Sequence, residues 1–272
     1  MQRFAVFGHP IAHSLSPRLH TLFAAQFGIE LEYVATDAPP ERFAEIAHAF
    51  FAQGGRGANV TLPDKLPAFE LADAHTHAAQ RAGVANVLTR RADGALEAHN
   101  TDGAGLIRDL RERHHVQLEG CRVLLLGAGG AAQAVAWALL DAGVHELILA
   151  NRTLERAHAL ADTLAQPARV CISEWSALER CRAFDLILNA TSAGVLGAAM
   201  QLPLSLVSRG TRAYDLAYGR AAQPFTTWAG DAGAAQAFDG LGMLVETAAD
   251  SFEHWHGVRP DTDEALRSLK TA

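Results

Sequence analysis

Short apolar runs alternate with stretches of helical periodicity along the whole chain. The run "FAVFG" (4–8) reads as a strand, followed by a helix opening near Ser16 and Pro17, since proline suits a first helical turn. "LEYVAT" (31–36) precedes "PPERFAEIAHAFFAQG" (39–54), whose apolar positions recur at helical spacing and which ends in glycine. "RGANVTL" (56–62) leads to a helical stretch after Pro63. "VANVLTR" (84–90) and "ALEAHNT" (95–101) flank the turn "RADG" and read as a hairpin.

Beyond Gly120 the pattern tightens. "RVLLLG", "ELILAN", "RVCIS", "DLILNAT" and "RAYDLAY" are continuous apolar runs separated mostly by helical segments. Strands that are apolar on both faces belong to a parallel sheet covered on both sides. The fold class is therefore α/β, with a change of domain expected in or just after "TDGAGLIRDLRERHH". The stretch Val123–Leu140 has Gln133 as its single polar side chain and is long enough to resemble a membrane span. Its glycine cluster sits where a strand would turn into a helix, so it reads as buried strand, turn and helix.

Length and charge narrow the function classes. At 272 residues, 49% of them apolar, the chain has the size and composition of a two-domain globular protein. A net charge of -7 argues against nucleic acid or an anionic membrane as the main partner. Cys121, Cys171 and Cys181 form no CxxC pair, which fits a reducing cytoplasm. The opening "MQRFAVFGHP" lacks the apolar run of a signal peptide.

"LLLGAGGAAQAV" fits the G-x-G-x-x-G/A pattern with Gly127, Gly129 and Ala132. The first glycine permits a tight turn, the second lets a pyrophosphate approach the backbone, and the small third residue lets helix and strand pack closely. An NAD site would place a carboxylate at the end of the next strand to hold the ribose 2′-hydroxyl. This chain has "LILANRTLER" there, with Asn151, Arg152, Thr153 and Arg156 ahead of or around the lone Glu155. Two guanidinium groups suit a 2′-phosphate, so NADP is expected over NAD.

Of 23 basic residues, all but Lys65 and Lys270 are arginine. A lysine can change protonation state when burial or neighbours lower its pKa, whereas arginine stays charged. Around Lys65 the first half places small polar groups at strand ends: Ser14, Ser16, Asn59, Thr61, Asn86 and Asp102. Each has a local reading as a helix cap or turn residue. Together they describe a site of neutral donors and acceptors with one lysine and one carboxylate, suited to a small polyhydroxylated substrate.

These motifs resemble the shikimate dehydrogenase family over nearly the whole chain: "GHPIAHSLSPRLH", "NVTLPDK", "AGVANVL", "NTDGAG", "GAGGAA", "NRTLERA", "NATSAG", "YDLAY" and "DGLGMLVETAADSFEHWHG". The resemblance implies two domains separated by a cleft, an α/β substrate-binding and catalytic domain over 1–102 plus 241–272 and a Rossmann NADP-binding domain over 103–240. It implies Lys65 and Asp102 as catalytic residues, with Ser14, Ser16, Asn59, Thr61, Asn86, Tyr218 and Thr247 at the substrate. NADP(H) would meet Gly127, Ala128, Gly129, Gly130, Ala131, Asn151, Arg152, Thr153, Arg156, Thr191, Leu216, Gly240 and Met243. The implied activity is the reversible NADPH-dependent reduction of 3-dehydroshikimate to shikimate, in aromatic amino acid and chorismate biosynthesis, by a cytoplasmic monomer or homodimer. The chain departs from the family pattern at Thr247, where glutamine is usual, at Val87, where threonine is common, and at Arg220 and Gln223.

Two other readings stay open. One is a quinate/shikimate dehydrogenase paralogue with relaxed substrate or cofactor choice; the other is a silent NADP-binding sensor, against which Lys65 and Asp102 both argue. No resident metal is expected. The histidines of "HTH" (75–77) and "HWH" (254–256) are two apart and would point to different sides of a helix, and His114–His115 has no cysteine or carboxylate partner at metal-ligand spacing.

Overall fold

The computed structural model describes residues 1–197 and 201–270. The chain forms two compact units, Met1–Gly105 with Leu244–Ala272, and Leu106–Met243.

The first unit begins β1 (Gln2–Gly8), α1 (Ser16–Phe27), β2 (Leu31–Asp37), α2 (Phe43–Ala52) and β3 (Gly55–Val60). It continues with α3 (Lys65–Leu71), β4 (Ala74–His75), α4 (His77–Ala82), β5 (Val87–Arg90), β6 (Leu96–His99) and α5 (Asp102–Arg108), whose residues from Leu106 on belong to the second unit. The sheet order is β2-β1-β3-β5-β6-β4. β1 is parallel to both β2 and β3, whereas β5 runs antiparallel to β3 and to β6. Thus β1, β3 and β6 end at one edge of the sheet, and β5 begins there. Successive β1 side chains face opposite ways: Ala5 and Phe7 pack with Phe43, Phe50 and Phe51 of α2, and Phe4 and Val6 with Ile11 and Tyr33.

The second unit has β7 (Arg122–Leu126), α6 (Gly130–Asp141), β8 (Glu146–Ala150), α7 (Leu154–Leu164) and β9 (Val170–Ser173). There follow β10 (Leu186–Asn189), β11 (Arg212–Asp215), α8 (Gln223–Asp231) and β12 (Gln236–Phe238). Every pairing is parallel, in the order β12-β11-β10-β7-β8-β9. This is the Rossmann order, with its switch point between β7 and β10, outside whose carboxyl ends ligands bind. The unbroken apolar run of β7 follows from burial on both faces: Val123 and Leu125 join one core, Leu124 and Leu126 the other.

The chain then returns to the first unit through α9 (Leu241–His256) and α10 (Thr262–Lys270). Val245, Ala249 and Phe252 of α9 pack with Leu19 and Phe23 of α1 and Ala265 of α10.

The hairpin expected across "RADG" is present, closed by Arg91 N–H donating to the Ala95 carbonyl over 2.9 Å, with Gly94 at φ +89°. The long apolar stretch is β7, a turn and α6, and among the described residues no helix is long and apolar enough to cross a membrane. Three features carry no sequence signal. β4 and β12 are edge strands of two and three residues, too short for any periodicity. A single π turn occupies Asp109–Arg113. Ser16, read as a possible helix cap, is instead the first helical residue, and its N–H donates to Ser14 Oγ over 3.3 Å.

Candidate active site

The polar strand ends of the first unit converge because of its sheet topology. Thr61 follows β3, Asn86 precedes β5, and Asn100, Thr101 and Asp102 follow β6, all at the same edge. Lys65 opens α3 and points back to Asp102, Nζ donating to Oδ2 over 2.7 Å. Their side chains are only 14% and 8% exposed. A charge pair that is largely out of water needs further hydrogen bonds to hold it, and Asp102 has them. Its Oδ1 accepts from Asn86 Nδ2 over 2.9 Å, and its N–H donates to Asn100 Oδ1 over 3.0 Å.

Asn86 is held in turn. Its Nδ2 also donates to Thr101 Oγ1, and its Oδ1 accepts from the Thr101 N–H, each over 2.9 Å. Asn59 is engaged at both ends of its amide. Its Oδ1 accepts from Tyr33 Oη over 2.7 Å, and its Nδ2 donates to Ser251 Oγ over 2.9 Å and to the Asn86 carbonyl over 3.2 Å. The Thr247 carbonyl accepts from Ser251 Oγ over 2.8 Å and from Thr101 Oγ1 over 3.2 Å. Thr247 Oγ1 itself donates to the Leu244 carbonyl over 3.0 Å. Thus Lys65, Asp102, Asn86, Asn59 and Thr247 belong to one continuous network, through Thr101 and Ser251.

Ser14 lies in the turn between β1 and α1, Ser16 opens α1, and the half-buried Thr61 leaves its hydroxyl without a hydrogen bond among the described residues. Tyr218 stands in the second unit, half-buried, just past β11. Sequence reasoning missed Tyr33, Asn100, Thr101 and Ser251. The run "NTD" at a strand end could have pointed to Asn100 and Thr101, but Tyr33 and Ser251 meet Asn59 from 26 and 192 residues away and leave no local mark.

Two buried groups near this cluster are electrostatically unusual. His20 stacks on Tyr33 with ring centroids 4.2 Å apart, and burial drives its pKa down to about 3, so the ring stays neutral. Asp64, next to Lys65, is fully buried, and neither carboxylate oxygen has a hydrogen-bond partner. Burial raises its pKa to about 6, with Glu41 adding to the rise and His9 opposing it.

In the second unit the turn after β7 fits a dinucleotide. Gly127 has φ +107°, and a Cβ there would come within 2.9 Å of the Ala190 carbonyl oxygen. Ala128 is buried, Gly129 is exposed with open space where a Cβ would be, and Gly130 and Ala131 are half-buried. α6 starts with no side-chain cap, so its first N–H groups remain available to an anion. Past β8, Asn151 Nδ2 donates to the Thr153 carbonyl over 2.8 Å and shapes the turn. Arg152, Thr153 and Arg156 are exposed, and among the described residues neither arginine side chain has a hydrogen bond or ion pair. Two exposed, unpaired guanidinium groups at the start of an uncapped helix fit a phosphorylated dinucleotide. Thr191 and Leu216 are half-buried and Gly240 and Met243 buried, at the ends of β10, β11 and β12 and the start of α9.

A Rossmann sheet with this turn, in one chain with a unit carrying a lysine–carboxylate pair, is the construction of a nicotinamide-nucleotide-dependent oxidoreductase. Residues 6–88 match the shikimate dehydrogenase substrate binding domain, and residues 109–199 the shikimate/quinate 5-dehydrogenase domain. The chain belongs to the shikimate dehydrogenase family. It is 53% identical over 271 residues to a shikimate dehydrogenase (NADP(+)) of Xylella fastidiosa strain M12, covering 99% of this chain and 96% of that one. The crystal structure of an Ael1 enzyme from Pseudomonas putida matches with TM-score 0.89 at 43% identity, over 99% of this chain and 98% of that one. Shikimate 5-dehydrogenase from Thermus thermophilus, in complex with NADP(H) and shikimate, matches with TM-score 0.84 at 35% identity, over 98% of this chain and 99% of that one.

Proposed function

We propose that this protein is an NADP-dependent shikimate dehydrogenase that reversibly reduces 3-dehydroshikimate to shikimate. The observation that carries the reading is the 2.7 Å pair of Lys65 and Asp102 in a network of neutral polar groups.

When bound, NADPH supplies the hydride to the carbonyl carbon. Lys65 gives a proton from Nζ to the carbonyl oxygen as negative charge develops there, and takes it back in the reverse direction. Asp102 aims that ammonium, and Asn86 and Asn100 fix Asp102. Ser14 and Ser16 hold the substrate carboxylate, Thr61 offers its unengaged hydroxyl, and Tyr218 and Thr247 complete the substrate contacts. Asn59, with both amide ends engaged inside the fold, acts by positioning its neighbours. The turn of Gly127, Ala128, Gly129, Gly130 and Ala131 takes the pyrophosphate on backbone N–H groups. Asn151, Arg152, Thr153 and Arg156 take the 2′-phosphate, which selects NADP over NAD. Thr191, Leu216, Gly240 and Met243 line the nicotinamide side.

The test is NADPH formation from shikimate and NADP, followed by its near-ultraviolet absorbance, then with quinate and with NAD in separate arms. Turnover strongest with shikimate and NADP supports the reading. Stronger turnover with quinate or NAD makes the protein a relaxed paralogue, and none with any pair makes it a silent binder.

A further inference from the structure

Asn189 and Asp215 end the neighbouring strands β10 and β11 and are both almost fully buried. Asn189 Nδ2 donates to Asp215 Oδ2 over 2.8 Å, and the other carboxylate oxygen accepts from the Ala217 N–H, also over 2.8 Å. Asn189 Oδ1 accepts from the Thr191 N–H over 3.1 Å and from Thr191 Oγ1 over 2.7 Å. The two turns are also joined through backbone, Leu216 N–H donating to the Asn189 carbonyl over 2.9 Å and Gly240 N–H to the Ala217 carbonyl over 2.8 Å. Gly240 lies so close to the Leu216 carbonyl that any Cβ there would collide with it. One carboxylate thus underpins the turns at Thr191, Leu216 and Gly240.

We infer that Asp215 is a positioning residue for NADP(H), whose ionised carboxylate, through Asn189 and Ala217, sets the turns that meet the nicotinamide side. The inference rests on reading the second unit as the cofactor-binding one. Its logic is donor counting. Both oxygens accept from N–H groups, and a proton on the carboxyl weakens it as an acceptor and turns one oxygen into a donor that competes with the Asn189 and Ala217 N–H groups. Losing the Asn189 bond frees the side chain that anchors Thr191. Burial, the largest influence, raises the pKa of Asp215 to about 7; the Ala217 and Asn189 hydrogen bonds oppose the rise and the nearby Asp239 carboxylate adds to it. Asp239 is itself held by the Gly219 and Leu241 N–H groups. The group that orders these turns therefore changes charge near neutral pH, and cofactor affinity falls as pH drops through that range.

Wild type and two variants, Asp215→Asn and the exchange Asn189→Asp with Asp215→Asn, are compared for NADPH binding by calorimetry and for thermal stability. Asp215→Asn sets an amide donor against the Asn189 amide and should raise the Kd at least about tenfold near pH 8. The exchange restores every donor–acceptor match and should return the Kd to within about threefold of wild type. The ratio of the Asp215→Asn Kd to the wild-type Kd should shrink several-fold between about pH 8 and 6, as wild type loses its own charge. The 2′-phosphate of the ligand titrates equally in both and cancels. In ligand-free wild type the Asn189 side-chain amide resonances should titrate with a midpoint near 7; this last reading needs no variant to fold. Wild-type-like binding by Asp215→Asn, a ratio independent of pH, an exchange variant that folds without binding, or unmoved Asn189 resonances would each overturn the inference. Failure of wild type to bind NADPH near pH 8 would overturn the cofactor reading instead.

Discussion

Lys65 Nζ and Asp102 Oδ2 are 2.7 Å apart, and the second oxygen of that carboxylate is occupied by Asn86 Nδ2. The lysine is therefore aimed by a group that cannot swing away, because Asn86 is itself tied to Thr101 by donor and acceptor alike. Asp102→Asn should lower turnover by about 10²–10⁴-fold, the usual share of general acid–base catalysis. Combined with Lys65→Ala it should cost far less than the product of the two losses, since the pair acts as one unit. Steady-state kinetics of the four proteins checks this, and multiplicative losses would mean the two residues act separately.

Arg152 is exposed at the end of β8 and, among the described residues, its side chain has no partner. Arg152→Ala should weaken NADP binding by roughly tenfold or more, the loss of a charge-assisted hydrogen bond, and leave NAD use nearly unchanged. Titration with both cofactors decides it. An equal loss with each would show that the arginine does not read the 2′-phosphate.

Asp64 carries a sign that can be checked. Its folded pKa of about 6 lies above the ordinary 3.8, so ionising it costs stability. The cost is absent below the unfolded value, grows as pH rises between the two, and is complete above the folded one. Asp64→Asn should therefore stabilise the fold near pH 8, by about 1 kcal/mol once solvent screening is allowed for, a gain that shrinks toward zero near pH 4. Urea unfolding of both proteins across that range measures it. A destabilised variant at the alkaline end would show that the carboxylate has a favourable partner.

The hydroxyl of Thr247 donates to the Leu244 carbonyl of its own helix, so it offers the substrate less than the longer glutamine common at this position. Thr247→Gln should lower the KM for shikimate with little change in kcat. That split is what an added contact, equal in ground and transition states, produces. A raised KM would mean the longer side chain disrupts the Thr101 and Ser251 bonds beneath it.

Much of this was legible in the sequence because local chemistry dictated it. Gly127 had to be glycine where the turn brushes Ala190, and β7 had to be apolar throughout because both its faces are covered. The convergence of Lys65, Asn86 and Asp102 could be suspected from polar residues at strand ends. Its cause, the antiparallel β5 that brings Asn86 to the same edge, could not. Nor could the sequence show that Asn59 and Asn86 would have their amides engaged within the fold, since Tyr33, Ser251 and Thr101 reach them through tertiary packing. Asp64 and Asp215 carry no local mark that sets them apart, and it is their burial that makes them unusual.

In the proposed reaction Lys65 moves a proton, and charge alone does not suffice. Lys65→Arg keeps the positive charge beside Asp102 but replaces a compact ammonium that can release its proton by a planar group that cannot. The deciding experiment is kcat for shikimate oxidation by NADP with wild type and Lys65→Arg, over about pH 6 to 9, with NADPH affinity measured in parallel. Unchanged NADPH binding and turnover about 10²–10⁴-fold lower throughout are expected. Near-normal turnover of Lys65→Arg across that range would rule out proton transfer by Lys65, because the site would then need only a cation.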